Sequence, residues 1–109
     1  MILSGKTDTV IENDTVYNFV LQQNYPNPFN PGTTIRYSIP IQSNVRLRVY
    51  NSIGENISNL INDNQNAGNY EINWDSGNFA SGIYLCSIEA IPSDGTEIFR
   101  SVKKMILLR

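Results

Sequence analysis

From Thr33 onward, apolar and polar side chains alternate with period two through most of the chain, which is the signature of strands with one buried face. In "TTIRYSI" Ile35, Tyr37 and Ile39 share one face, and Thr34, Arg36 and Ser38 share the other. "NVRLRVYN" sets Val45, Leu47 and Val49 inward and Arg46 and Arg48 outward, and "YEINWD" buries Tyr70, Ile72 and Trp74. "IYLCSIEAI" lines one face with Tyr84, Cys86, Ile88 and Ala90 and the other with Ile83, Leu85 and Ile91. A strand apolar on both sides is expected at the centre of its sheet. "NISNLI" fits a short strand or a single helical turn. In the closing "TEIFRSVKKMILLR" the alternation stumbles at Lys103-Lys104, and a β-bulge there would bring Val102 and Met105 onto one face.

Turn chemistry separates these runs. Ser52-Ile53-Gly54-Glu55, the loop "NDNQNAGN", "SGNFASG" and Pro92-Ser93-Asp94-Gly95 concentrate the residues that favour tight connections. Short strands about every ten residues, with no amphipathic helix between them, predict an all-β fold, an immunoglobulin-like antiparallel β-sandwich of about seven strands. "SGIYLC" puts Tyr84 two residues before Cys86 at the start of a strand, the spacing of the tyrosine corner in such sandwiches. The Tyr84 ring is expected in the core with its hydroxyl on a loop carbonyl, and Cys86 is expected as a small buried hydrophobe.

One stretch fits neither strand nor helix. "NYPNPFNPGTT" places Pro26, Pro28 and Pro31 within Asn24–Thr34. Three backbone donors are lost, and Tyr25, Asn27 and Asn30 are pushed toward extended geometry. The expectation is an extended, polyproline-like ribbon along the rim of the sandwich, pinned by Tyr25 and Phe29 and closing an exposed sheet edge.

Composition narrows the chemistry. The 109 residues suit one domain, and 15 asparagines carry much of the surface polarity, because charged residues make up only 17 %. A net charge of -2 with a sequence pI near 4.9 makes nucleic acid an unsuitable partner. The chain has no histidine and one cysteine, which excludes a Ser/His/Asp triad, a Cys/His pair, an internal disulfide and a thiolate zinc cluster. No phosphate-binding glycine loop is present. An enzyme is therefore not expected, nor is a cofactor or a bound metal. No apolar run is long enough to span a bilayer as a helix, so membrane insertion is not expected either. Residues 1–18 are polar and read as a linker or a loosely attached first strand. They lack the apolar core of a secretory signal, so such a signal is expected on sequence ahead of them. Charge is uneven: Arg100, Lys103, Lys104 and Arg109 close the chain with no acidic residue among them. That pattern suits either an edge strand guarded by lysines or a recognition surface.

In order, "LQQNYPNPFNPGTTIRYSIP", "VRLRVYNSIGENISNLI", "AGNYEINWD", "ASGIYL" and "VKKMILLR" resemble the type A C-terminal sorting domain of the type IX (Por) secretion system, over residues from about 19 to 109. The resemblance implies a sorting domain at 19–109. It would direct an attached N-terminal cargo across the outer membrane, by way of the periplasm, to the cell surface or the medium. It implies as partners an outer-membrane translocon and a cell-surface sortase. Tyr25, Pro26, Asn27, Pro28 and Phe29 match the opening motif, Gly82 and Tyr84 the "SGIY" motif, and Lys104 with "MILLR" the closing one. The candidates for translocon recognition are then Lys103, Lys104, Met105, Ile106, Leu107, Leu108 and Arg109, and the linker is the expected region of sortase cleavage.

Two other readings rest on the residues. A carbohydrate-binding or spacer module would use Tyr17, Tyr50, Tyr70 or Trp74 as an exposed aromatic platform, although Trp74 is in phase with Tyr70 and Ile72 and so reads as core. Asn62, Asp63, Asn64 and Asn66 could offer oxygens to calcium, but one carboxylate is too little charge for a tight site, and a turn is the expected role.

Overall fold

Alternation in "GTTIRYSI" and "SNVRLRVYN" leads directly to paired strands. The computed structural model describes residues 17–109, which form seven strands and, among the described residues, no helix. Strands β1 (Val20–Leu21), β2 (Gly32–Ile39) and β5 (Gly68–Asp75) make one sheet in the order β1-β2-β5. Strands β3 (Ser43–Asn51), β4 (Asn56–Gln65), β6 (Gly82–Pro92) and β7 (Phe99–Leu107) make the other, in the order β4-β3-β6-β7. All neighbours are antiparallel. Two such sheets packed face to face are an immunoglobulin-like sandwich.

The core is the set of inward residues the period predicts. Ile35, Tyr37 and Ile39 of β2 meet Val45, Leu47 and Val49 of β3, Tyr84, Cys86, Ile88 and Ala90 of β6, and Met105 and Leu107 of β7, all of them buried. As expected of a strand apolar on both sides, β6 lies between β3 and β7. Glycine is required at two of the predicted turns. Gly54 at φ 88° and Gly95 at φ 81° adopt a left-handed backbone that a side chain would strain. In the first turn the Asn51 Oδ1 also accepts from the amides of Ile53 and Glu55, at 3.1 and 2.9 Å.

Four expectations are corrected. Of the two readings of "NISNLI" the strand holds and the helical turn does not, although the strand, β4, is ten residues long rather than short. Half of "NDNQNAGN" belongs to that strand too and its last two residues begin β5, so only Asn66 and Ala67 carry the chain across to the other sheet. The register explains why this was hidden. Leu47 faces Ile61 but Arg48 faces Asn59, and Val49 faces Ser58 but Tyr50 faces Asn56, so Leu60 and Ile57 are extra residues in two bulges. Ile57, Leu60 and Ile61 consequently all pack against the core without period-two spacing.

The bulge foreseen at Lys103-Lys104 does not exist. Lys103 pairs with Cys86 and Lys104 with Leu85 in an unbroken ladder, which leaves Val102 56 % exposed while Met105 is buried. Lys103 occupies an inward-facing position, yet β1, which packs against β7, is only two residues long. The lysine stem can therefore run along apolar surface while its ammonium stays wet, and no register change is needed.

The proline segment is not an extended ribbon. Tyr25 and Thr34 exchange both backbone hydrogen bonds, at 3.0 and 2.9 Å, so residues 26–33 close into a bent loop. All three X-Pro peptide bonds in it are cis. Phe29 is buried as expected, but Tyr25 is 74 % exposed and pins nothing. Most of the linker assigned to residues 1–18 lies outside the described residues.

Candidate functional site: the clamped C-terminal end

The edge of β7 opposite β6 would expose unpaired backbone groups, and its C-terminal half is covered instead by the loop that precedes β2. Gln23 Nε2 donates to the Lys104 carbonyl at 2.7 Å. The Ile106 amide donates to Asn27 Oδ1 at 2.8 Å, the Phe29 amide donates to the Ile106 carbonyl at 2.9 Å, and the Leu108 amide donates to the Phe29 carbonyl at 3.0 Å. The prediction that this segment closes a sheet edge therefore holds, with a folded loop as the agent. It also supplies donors as well as acceptors, because Phe29 is one of its residues not replaced by proline.

The loop is held from within by two residues the sequence reasoning passed over. Asn24 and Thr33 are buried polar side chains. Asn24 Nδ2 donates to Thr33 Oγ1 at 2.9 Å and to the Pro26 carbonyl at 3.1 Å, and Thr33 Oγ1 donates to the same carbonyl at 2.8 Å. A small network in which every buried member has a partner rigidifies its surroundings. The only signal available was a polar residue on each side of a proline-rich stretch, which by itself means no more than a turn.

Beneath the loop lies an aromatic cluster. Phe29 contacts Trp74 at 5.8 Å between ring centroids, and Trp74, Phe79 and Tyr84 meet one another at 6.0–6.2 Å. Tyr84 Oη donates to the Ala80 carbonyl at 2.6 Å, as a tyrosine corner requires. The chain terminus is tied to the same corner. The Arg109 amide donates to Ser81 Oγ at 2.8 Å, and Arg109 Nε donates to the Phe79 carbonyl at 2.7 Å. Gly82 pairs with Leu107 and Tyr84 with Met105. The proline motif, the "SGIY" motif and the terminal motif are thus neighbours at one end of the sandwich.

The terminal residues divide by orientation. Met105 and Leu107 are fully buried and hold the strand to the core; Lys104, Leu108 and Arg109 are exposed, Ile106 is half-buried on the outer face, and Lys103 is half-buried on the inner one. Lys103 and Lys104 accordingly do not form one basic patch. In the opening motif, Pro26 and Pro28 are exposed with Tyr25, while Asn27 and Phe29 make the contacts.

Chemistry of other kinds finds little support. Burial pushes the Cys86 thiol up to about 12, far from a reactive thiolate. Glu71 pairs with Arg36, and Glu89 with Arg46 and Arg100. Among the described residues no three metal-ligating side chains cluster, and Asn62, Asp63 and Asn64 alternate along β4 where a turn was expected. Trp74 is core, and Tyr70 stacks on Tyr37 at 5.3 Å while its hydroxyl donates to the Asn66 carbonyl. Neither supplies an open platform for a sugar.

The family described as "Secretion system C-terminal sorting domain" matches residues 23–107. The chain belongs to that family. The matched stretch begins at Gln23, whose side chain bonds β7, and ends at Leu107, the last residue of β7. The sorting domain is a C-terminal signal for type IX secretion and marks a protein for export, to the medium or the cell surface. It belongs with an N-terminal cargo. No curated protein matches the chain.

Proposed function

We propose that residues 19–109 act as a folded signal read at the clamped end of β7 by the outer-membrane translocon, after passage through the periplasm. Residues 1–18 are then the linker to the cargo, and a cell-surface sortase cuts within them. The observation that carries this reading is the convergence of three distant motifs on one strand end. Asn27, Phe29, Gly82 and Tyr84 each bond or pair with a residue of 105–108, and Arg109 is tied to the corner at Phe79 and Ser81. In this arrangement Met105 and Leu107 act through the fold, while Lys104, Ile106, Leu108 and Arg109 present the readable surface. The domain itself works by binding and carries no catalytic group.

The test fuses residues 1–109 behind a fluorescent reporter that carries its own Sec signal, in a bacterium with this secretion system. The expected result is fluorescence at the surface or in the medium that disappears in a translocon-deficient strain. A folded fusion held in the periplasm of both strains would overturn the reading and return weight to a spacer module.

A further inference from the structure

The two outer faces of the sandwich differ in a way the sorting reading does not use. On the three-stranded sheet the outward positions of β2 and β5 are Thr34, Arg36, Ser38, Asn69, Glu71 and Asn73, all polar. On the four-stranded sheet, the half built from β6 and β7 carries Ile83, Leu85, Val102 and Ile106 outward. Ile83 pairs with Ile106, and Leu85 lies between Tyr50 of β3 and Lys104 of β7. Ile83 and Ile106 are directly opposite, as are Leu85 and Tyr50, and Ile106 and Val102 are the diagonal neighbours of Leu85, so these residues form an apolar strip interrupted on β7 by Lys104. Ile83 and Val102 are 44 % and 56 % exposed. An apolar strip that no described residue covers, on a sheet whose counterpart exposes only Val20 among its outward apolar side chains, marks an interaction surface.

Charge narrows the occupant. The outward positions of β3, β6 and β7 hold Arg46, Arg48, Arg100 and Lys104 against a single carboxylate, Glu89. Glu89 is already engaged by Arg46 at 3.5 Å and Arg100 at 3.0 Å. No ion pair among the described residues involves Arg48 or Lys104, and both lie at the strip, Arg48 opposite Ser87 beside Val102 and Lys104 opposite Leu85. This face is therefore cationic in a chain of net charge -2.

We propose that this outer face is a docking surface for a protein partner that presents an apolar patch rimmed by carboxylates. Tyr50, Ile83, Leu85, Val102 and Ile106 meet the patch, and Arg48 and Lys104 meet the rim. A protein fits better than an anionic bilayer. Two cations on a chain of negative net charge give a lipid surface little electrostatic hold, whereas desolvated pairs at the rim of an apolar contact give a protein both steering and specificity. The proposal rests on the sorting reading and extends it beyond the terminal motif, to residues of β3 and β6 that the motif does not contain.

The experiment uses the reporter fusion of residues 1–109 with two surface variants, Ile83→Thr with Val102→Thr, and Arg48→Glu. Threonine keeps the β-branched shape that a strand favours, so the fold is preserved. Arg36→Gln on the polar outer face is the control. The expected result is an exported fraction lower by about tenfold in both surface variants, the scale of losing central interface contacts, with melting temperature changed by under about 4 °C and the control unaffected. Export at the unmutated level by both surface variants would overturn the docking surface and leave the sorting reading standing. Failure of the unmutated fusion to leave the periplasm would remove both. Purified protein is also spun with phosphatidylglycerol vesicles; cosedimentation that the variants abolish would assign the surface to lipid and overturn the protein partner.

Discussion

Replacing Asn27 by Ala removes one side chain from the clamp and tests whether the opening motif holds the terminal strand. Asn27 Oδ1 accepts a 2.8 Å hydrogen bond from the Ile106 amide in a partly buried setting. Loss of such a bond costs about 1 kcal/mol, rising toward about 3 kcal/mol if the amide is left dry. For a domain of this size about 1 kcal/mol corresponds to roughly 4–8 °C in melting temperature. The informative comparison is Tyr25→Ala in the same motif. Tyr25 is 74 % exposed and is held through its backbone pairing with Thr34, so the change is expected within about 0.5 kcal/mol. Urea unfolding of both variants gives the energies, and amide exchange locates them: Ile106 should exchange faster in Asn27→Ala while core amides such as that of Leu47 change only with global stability. Equal destabilisation by the two substitutions, or unaltered exchange at Ile106, would refute the clamp.

Phe29→Ala should cost more, about 3–5 kcal/mol, because it empties a buried aromatic site against Trp74; a urea midpoint shift no larger than that of Asn27→Ala would contradict this. Tyr84→Phe keeps the ring and loses only the bond to the Ala80 carbonyl, so it should cost about 1 kcal/mol in the same assay. Burial raises the Tyr37 phenol from 10.0 to about 12, against the bond to Gln65 and reinforced by Tyr70 and Asp63, and burial raises the Cys86 thiol from 9.0 to about 12. Both groups keep their protons in the folded chain at a pH where the unfolded chain loses them, so their contribution is complete below the unfolded values and is lost as pH climbs from 9.0 toward about 12. Unfolding free energy should fall across that window and fall less in Tyr37→Phe and Cys86→Ala; parallel curves for all three proteins would show the shifts to be absent.

Strands with one face in the core were legible because burial imposes period two on a pleated backbone, and β2, β3, β5 and β6 obey it residue by residue. The tyrosine corner was legible for a similar reason: a buried hydroxyl must find a partner, and a tight turn brings one close. β4 was not legible because its two bulges let Ile57, Leu60 and Ile61 reach the core out of phase. β7 misled in the opposite sense. Adjacent lysines suggested a break in register, but at a sandwich rim an inward lysine can reach water, so the ladder continues through both.

The sequence by itself determined the local conformational choices: alternation for strands, glycine and asparagine for turns, and three prolines that forbid helix and central strand between Asn24 and Thr34. The order of its motifs also carried the resemblance to a sorting domain. Only the tertiary structure decided what those motifs do for one another. Residues 23–29 and 104–108 stand about eighty positions apart, and nothing local in either stretch specifies that Asn27 receives the Ile106 amide or that Phe29 brackets Ile106 and Leu108. Such pairing depends on which strand edge the sandwich leaves open and which loop the packing of Phe29 on Trp74 delivers to it. Both follow from the closing of the whole core around its buried area, a property no short window contains.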